Sequence, residues 1–286
     1  MMNKQKIAIL VDSGTDVPPN FREKYGIYWL PLLINYTDRQ CLDGVDIQPH
    51  EMYELLPTEI PKTSLPDGSM VNAMFDRIKA DGYEHVLAVT ISSGLSGTCN
   101  MIRLMGEEYE GLDVSVVDTK NISIGSGLVA IRAAQMVNDE GMSWEDLIVN
   151  IKREIPRSKV FFCVDTLKYL QKGGRIGLVT AMLGASLSLK PIISCNEEGV
   201  YYTAGKAIGR TRAIQKVIDL AAEFAKGADK VELAVMNGCA EMDGLHTRNK
   251  AEGVIVNGTV TITGQIGAAL GVHTGPGLIG IGVIRR

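Results

Sequence analysis

The chain has 286 residues, 45% hydrophobic and 22% charged, with 31 glycines and a formal net charge of −4. That length suits two globular domains with sizeable cores. The acidic balance, with no long Lys/Arg run, excludes an electrostatic stripe that tracks phosphates, so no nucleic-acid partner is expected.

Lys6–Asp12 carries the continuous apolar run Ile7-Ala-Ile-Leu-Val11, as expected for a strand covered on both faces. Ile27–Ile34 is a second extended run. Asp67 opens a helix in which Met70, Val71, Met74, Phe75 and Ile78 fall at helical spacing. A buried strand follows at His85–Ile91, then a Ser-rich turn, then a helix from Gly97 to Glu108. Val114–Asp118 is another strand, and a helix over 124–139 stops near Gly141. Ser143 with Asp146 three residues on resembles a capping box that starts a helix to about Ile155.

The second half opens on a strand at Val160–Val164 and a short helix at Thr166–Leu170, before Lys172-Gly-Gly-Arg-Ile176. Pro191–Cys195 and Val200–Thr203 flank Asn196-Glu-Glu-Gly199, a hairpin signal. Thr211–Phe224 reads as an amphipathic helix, Val231–Met236 as a strand and Ala240–Ala251 as a helix. Ile262–Ile284 contains no charged residue and could span a bilayer by length. Its seven glycines and the break His273-Thr-Gly-Pro-Gly instead suggest a strand, a tight loop and a final strand. No stable membrane insertion is expected.

Strand–helix alternation predicts an α/β fold. An N-terminal doubly wound, mostly parallel α/β/α domain over 1–157 is followed by an α+β domain over 158–286. Ligands of such sheets sit at the C-terminal strand ends. Ser13-Gly-Thr-Asp16, the turn at 92–98 and Asp118-Thr119 all lie there, so three polar strand ends could converge on one crevice.

The turn Thr90-Ile-Ser-Ser-Gly-Leu-Ser-Gly-Thr98 is the most informative of them. It gathers small hydroxyls and free backbone N–H groups at a helix N-terminus, which suits a phosphate or carboxylate. The plainer reading makes Ser96 only an N-cap. Gly94-Leu-Ser-Gly97 is one residue short of a nucleophile elbow, so a serine hydrolase using Ser96 and His273 is a rival. Gly275-Pro-Gly-Leu-Ile-Gly280 has no room for a following helix, and Gly199–Lys206 lacks the hydroxyl of a phosphate loop. His50, His85, His246 and His273 show no metal-ligand spacing, so neither metal nor cofactor is expected. The five scattered cysteines, without a CxxC, read as thiols of a reducing compartment. No signal-peptide pattern is found, and a cytoplasmic location is the expectation.

Seven segments together resemble one known family. They are Val11-Asp-Ser-Gly-Thr-Asp16, Lys62-Thr-Ser-Leu-Pro66, Ile91-Ser-Ser-Gly-Leu-Ser-Gly-Thr98, Val117-Asp-Thr119, Val164-Asp-Thr-Leu-Lys-Tyr-Leu-Gln-Lys-Gly-Gly-Arg-Ile176, Gly205-Lys-Ala-Ile-Gly-Arg210 and His273-Thr-Gly-Pro-Gly277. In this order they resemble the DegV family, the fatty-acid-binding proteins also known as FakB. The resemblance implies two α/β domains with a long-chain fatty acid such as palmitate, stearate or oleate buried between them. It implies a carboxylate held by Thr63 and Ser96, with Arg175 and His273 close by and Ser93 and Gly97 in the same turn. It further implies that the carboxyl group is presented to a separate ATP-dependent fatty acid kinase subunit for acyl-phosphate formation and phospholipid synthesis. The chain itself would then be no enzyme.

Cys99 departs from the Tyr that many members carry after Ser-Gly-Thr, a change expected to alter the tunnel or its mouth. Arg175 follows two glycines and is expected on a mobile backbone, and His273 in a glycine loop is expected to titrate near neutrality. Lys206, Arg210 and Arg212 could form a basic docking face for the kinase. Burying about fourteen methylenes at roughly 0.8 kcal/mol each gives around 11 kcal/mol before ordering costs, and twelve methionines can line such a tunnel flexibly. The alternatives are a serine esterase or thioesterase using Ser96, and a lipid carrier without a kinase partner.

Overall fold

The computed structural model describes residues 3–182, 184, 186 and 188–286. In chain order the strands are β1 (Ile7–Asp12), β2 (Tyr28–Leu30), β3 (Leu33–Asn35), β4 (Gln40–Leu42), β5 (Lys62–Ser64), β6 (His85–Thr90), β7 (Asp113–Asp118), β8 (Ser158–Cys163), β9 (Leu189–Cys195), β10 (Tyr201–Ile208), β11 (Val231–Gly238), β12 (Gly258–Gln265) and β13 (Leu278–Arg285).

β2-β1-β6-β7 form a sheet in that order, parallel throughout. Side chains alternate across it. Ile7, Ile9 and Val11 of β1 join Leu87 and Val89 of β6 in one core with the helix Ile124–Asn138. Ala8 and Leu10 join Val86 and Ala88 in another, with the helices Gly68–Ala80 and Thr98–Glu108. The doubly wound α/β/α reading therefore holds. The winding reverses between β1 and β6, and ligands of such sheets bind outside the strand ends at that point.

The six-stranded sheet β10-β9-β8-β13-β11-β12 is antiparallel except for β11–β12. The helix Arg210–Ala225 packs on one face through Ala213, Val217, Ile218 and Ala221. The helix Ile124–Asn138 shares a core with the other face, where Val160, Phe162 and Met236 lie. That helix therefore lies between two sheets, and its buried residues run from Ile124 to Val137 on every side instead of forming one stripe. Gly282 of β13 permits the contact: a Cβ there would lie 2.7 Å from Ile124 Cγ2. A third, small antiparallel sheet, β4-β3-β5, brings Thr63 opposite Ile34.

Helix starts follow the expected capping. Asp67 accepts from Met70 N at 2.9 Å and Ser143 Oγ from Asp146 N at 3.2 Å. Three expectations are corrected. Ile27–Ile34 is not one strand: β2 and β3 belong to different sheets, divided at Pro31, which has no N–H for a ladder. The short helix runs over Lys168–Lys172, later than Thr166–Leu170. Ile262–Ile284 is strand, helix and strand, with the helix Ala268–Thr274 where a loop was expected. No described helix is long and apolar enough to cross a membrane.

Candidate ligand-binding site

The Ser-rich turn leaves β6 beside the end of β1, where Ile91 N donates to Asp12 Oδ2 at 3.0 Å. Ser92 N donates to Asn121 O at 2.8 Å, and Ser96 N to Ser92 O at 3.1 Å. These bonds fold the turn so that Gly97, not Ser96, is the N-cap of Thr98–Glu108. Ser96 Oγ lies 2.9 Å from Thr98 Oγ1 and is half-buried at a cavity wall.

Thr63 faces the same cavity from β5. Its Oγ1 lies 2.6 Å from Nε2 of His273, which is carried on Ala268–Thr274. Burial lowers the His273 pKa from 6.5 to about 4, helped by the positive charge of Arg175. The ring is therefore neutral at pH 7, not titrating near neutrality as expected. Its Nδ1 is buried with no hydrogen-bond partner among the described residues. Buried N–H groups without acceptors are rarer than acceptors without donors, so the proton belongs on Nε2. Nε2–H then donates to Thr63 Oγ1, and the threonine O–H is left to donate into the cavity.

Arg175 closes the site. Its Nε donates to Leu95 O at 3.3 Å and its Nη1 to Gly173 O at 2.9 Å. The first of the two glycines before it serves packing more than mobility: a Cβ on Gly173 would sit 2.0 Å from His273 Nδ1. Only a residue without a side chain leaves the imidazole its place.

Thr63, Ser96, Gly97, Arg175 and His273 line one cavity of about 170 Å³ with Leu32, Ile91, Leu95, Ile122, Tyr201 and Leu270. Ile122, Tyr201 and Leu270 also border a second space of about 20 Å³, walled by Phe162, Met236 and Leu278. A cavity with polar groups on its wall thus adjoins a smaller apolar one across Ile122, Tyr201 and Leu270. Ligand pockets run from about 300 Å³ upward, so neither space alone reaches that size. A larger recess of about 680 Å³ on the outer edge of β2, lined by Arg22, Trp29 and Tyr83, contains none of the sequence-predicted residues.

Other expected residues stand elsewhere. Ser93 does not line the cavity: its N–H donates to Asp118 and its Oγ accepts from Lys120 at 3.2 Å. Burial alone would raise the Asp118 pKa, but hydrogen bonds from Lys120 and Ser93 outweigh it and the net shift is downward. Arg210 is not a free cation, because its guanidinium pairs with Asp165 and Asp243 and donates to Gly277 O. Lys206 and Arg212 are exposed. Cys99 is buried outside the cavity lining and accepts from Arg103 Nη2 at 3.3 Å, so it does not shape the mouth directly.

Ser96 and His273 are each bonded to a threonine instead of to one another, and no acid meets Nδ1. The nucleophile–base–acid relay of a serine hydrolase is therefore not assembled. Leu32, Ile122, Tyr201 and Leu270 were missed because an apolar wall residue and a core residue look alike in sequence.

Hydroxyls, a guanidinium and an imidazole on one wall and apolar side chains on the others thus meet at the strand ends of a doubly wound sheet, where proteins of this architecture bind ligands. The profile of the DegV family, described as "Uncharacterised protein, DegV family", matches residues 6–286, and the chain belongs to that family. A DegV domain-containing protein of Clostridium acetobutylicum is 39% identical over 288 residues, covering 99% of this chain and 100% of the relative. Among solved structures, a DegV family protein from Thermus thermophilus, described by its fatty acid binding, superposes with a TM-score of 0.89 at 30% identity. The match covers 98% of this chain and 99% of that one. A stearic acid-binding protein from Eubacterium ventriosum gives a TM-score of 0.89 at 27% identity, with 98% of each chain covered.

Proposed function

We propose that the chain binds a long-chain fatty acid such as palmitate, stearate or oleate. Its carboxylate lies between Thr63 and Ser96, and its tail passes Ile122, Tyr201 and Leu270 between the units formed by residues 1–157 and 158–286. The observation that carries this reading is the meeting of Thr63, Ser96, Arg175 and His273 on one cavity that shares Ile122, Tyr201 and Leu270 with a neighbouring apolar space. Hydroxyl donors satisfy a carboxylate that could not be buried bare. Neutral His273 holds the Thr63 hydroxyl in its donating orientation.

The finer reading is presentation of the carboxylate to a separate ATP-dependent kinase subunit. A carboxylate oxygen attacks the γ-phosphorus of ATP, the bond to ADP breaks, and acyl phosphate forms on the bound acid. Arg175, on the cavity wall, stabilises the anionic charge that gathers there. A cytoplasmic setting suits a partner that consumes ATP, and Lys206 and Arg212 offer exposed cations on the C-terminal unit.

Organic extraction and native mass spectrometry test the binding reading. One acyl species per chain, or uptake of added oleate, is expected; neither occurring contradicts it. Acyl-phosphate formation with a kinase subunit tests presentation. Binding without phosphorylation by any such subunit leaves a lipid carrier.

A further inference from the structure

The helix Ala268–Thr274 carries His273 at one end and is held at the other by carboxylates from far upstream in the chain. Gly267 N donates to Asp16 Oδ1 at 2.8 Å, and Ala269 N to Asp43 Oδ1 at 3.1 Å. Both acids are themselves fixed. Asp16 Oδ2 accepts from Ser123 Oγ, and Asp43 Oδ2 accepts from Ser13 Oγ at 2.6 Å. Ser13 Oγ in turn accepts from Leu32 N at 3.0 Å, and Leu32 lines the cavity. The first turn of a helix has N–H groups without intrahelical partners, and carboxylates there also meet the positive end of its dipole.

We propose that Asp16 and Asp43 are positioning residues for the ligand site, orienting the helix Ala268–Thr274 so that His273 meets Thr63. The inference rests on the fatty-acid reading for its consequence but not for its geometry. At 1.5 Å rise per residue, about 9 Å separate Gly267 from His273. A tilt of about 10° at the held end would move the imidazole by about 1.6 Å. That is enough to break the 2.6 Å Thr63–His273 contact. The helix is seven residues long and buried throughout, so its packing sets its depth while the two carboxylates at its N–H end set its direction. Burial raises the pKa of Asp16 to about 7 and that of Asp43 above its usual value, so these carboxyls sit where they are costly unless bonded. Asp12 completes the arrangement by accepting from Ile91 N at the root of the turn that carries Ser96. One acidic corner thus sets both polar walls of the cavity.

The test compares Asp43→Ala, Asp43→Asn and Asp16→Asn with Val71→Ala, a fully buried position on the opposite face of the parallel sheet. Two quantities are read on the full chain: oleate affinity by displacement of a fluorescent stearate, and the His273 imidazole 15N–1H signals without ligand. Asp43→Ala should lower oleate affinity at least tenfold and shift the His273 signals toward those of Thr63→Val. Asp43→Asn and Asp16→Asn keep an acceptor for the helix N–H groups and should stay within about threefold of wild type. Val71→Ala should move neither reading. Unmoved His273 signals in Asp43→Ala, or equal movement in Val71→Ala, overturn the proposal. Should Asp43→Ala fail to fold, Ser13→Ala, which removes the bond to Asp43 Oδ2, must shift the His273 signals in the same direction; unmoved signals overturn it. A wild-type chain that binds no oleate overturns the fatty-acid reading alone, because the His273 signals report the helix without ligand.

Discussion

Thr63→Val removes one hydroxyl and almost nothing else, and its consequences separate into two measurable parts. The first is stability. Oγ1 sits 2.6 Å from His273 Nε2, whose ring is buried and neutral. Replacing the hydroxyl with a methyl leaves the Nε2–H without an acceptor, at a cost of about 1–3 kcal/mol. For a chain of this size that lowers Tm by a few degrees, roughly 2–4 °C per kcal/mol. The second part is affinity. A hydrogen bond to a charged acceptor is worth about 1.5–3 kcal/mol, so the carboxylate loses roughly 10- to 150-fold in Kd. Methyl oleate, which has no charge to satisfy, should lose far less. Displacement titrations with oleate and methyl oleate, beside thermal unfolding, read both parts. If Thr63→Val binds oleate within threefold of wild type, the threonine does not hold the carboxylate and the site is wrongly placed.

Three further outcomes follow from the same geometry. The His273 pKa lies near 4 in the folded chain against 6.5 unfolded. The unfolded state therefore binds more protons between those values, and stability is lost as pH falls through that window. Wild type should lose up to about 3 kcal/mol more than His273→Gln between pH 6.5 and 4 in denaturant titrations; equal slopes would show that the ring is not held neutral. Gly173→Ala places a methyl 2.0 Å from His273 Nδ1. It should lower both melting temperature and oleate affinity, and wild-type values for both would refute the packing argument. Ser96→Ala should weaken oleate by about 1–3 kcal/mol, while a fluorophosphonate probe leaves wild-type Ser96 unlabelled; labelling there would revive the hydrolase.

Much of this arrangement could be read from residue order. The apolar runs at β1 and β6 announced a buried parallel sheet, and Asp67 and Ser143 announced their helices. Thr63, Ser96, Arg175 and His273, lying in four distant segments, do share one cavity. The helix Ala268–Thr274 escaped notice because it is short, uncharged and buried on every side, so it shows no amphipathic period. Its glycine-rich flanks looked like a loop, and that error made His273 appear titratable. Lone acids carry no sequence mark of what they will face. Asp43, in Leu42-Asp-Gly44, belongs to none of the motifs, yet it holds a helix 226 positions later. Arg210 looked free because its partners, Asp165 and Asp243, come from other elements of the fold.

The proposed function turns on the orientation of a fatty acid in the Thr63–Ser96 cavity. A crystal structure with a terminally brominated long-chain acid tests it most directly, since anomalous scattering marks the tail independently of the carboxylate. Carboxylate oxygens should lie within hydrogen-bond distance of Thr63 Oγ1 and Ser96 Oγ, and bromine in the apolar space lined by Phe162 and Met236. A reversed acid, or one seated in the recess lined by Arg22 and Trp29, would contradict it.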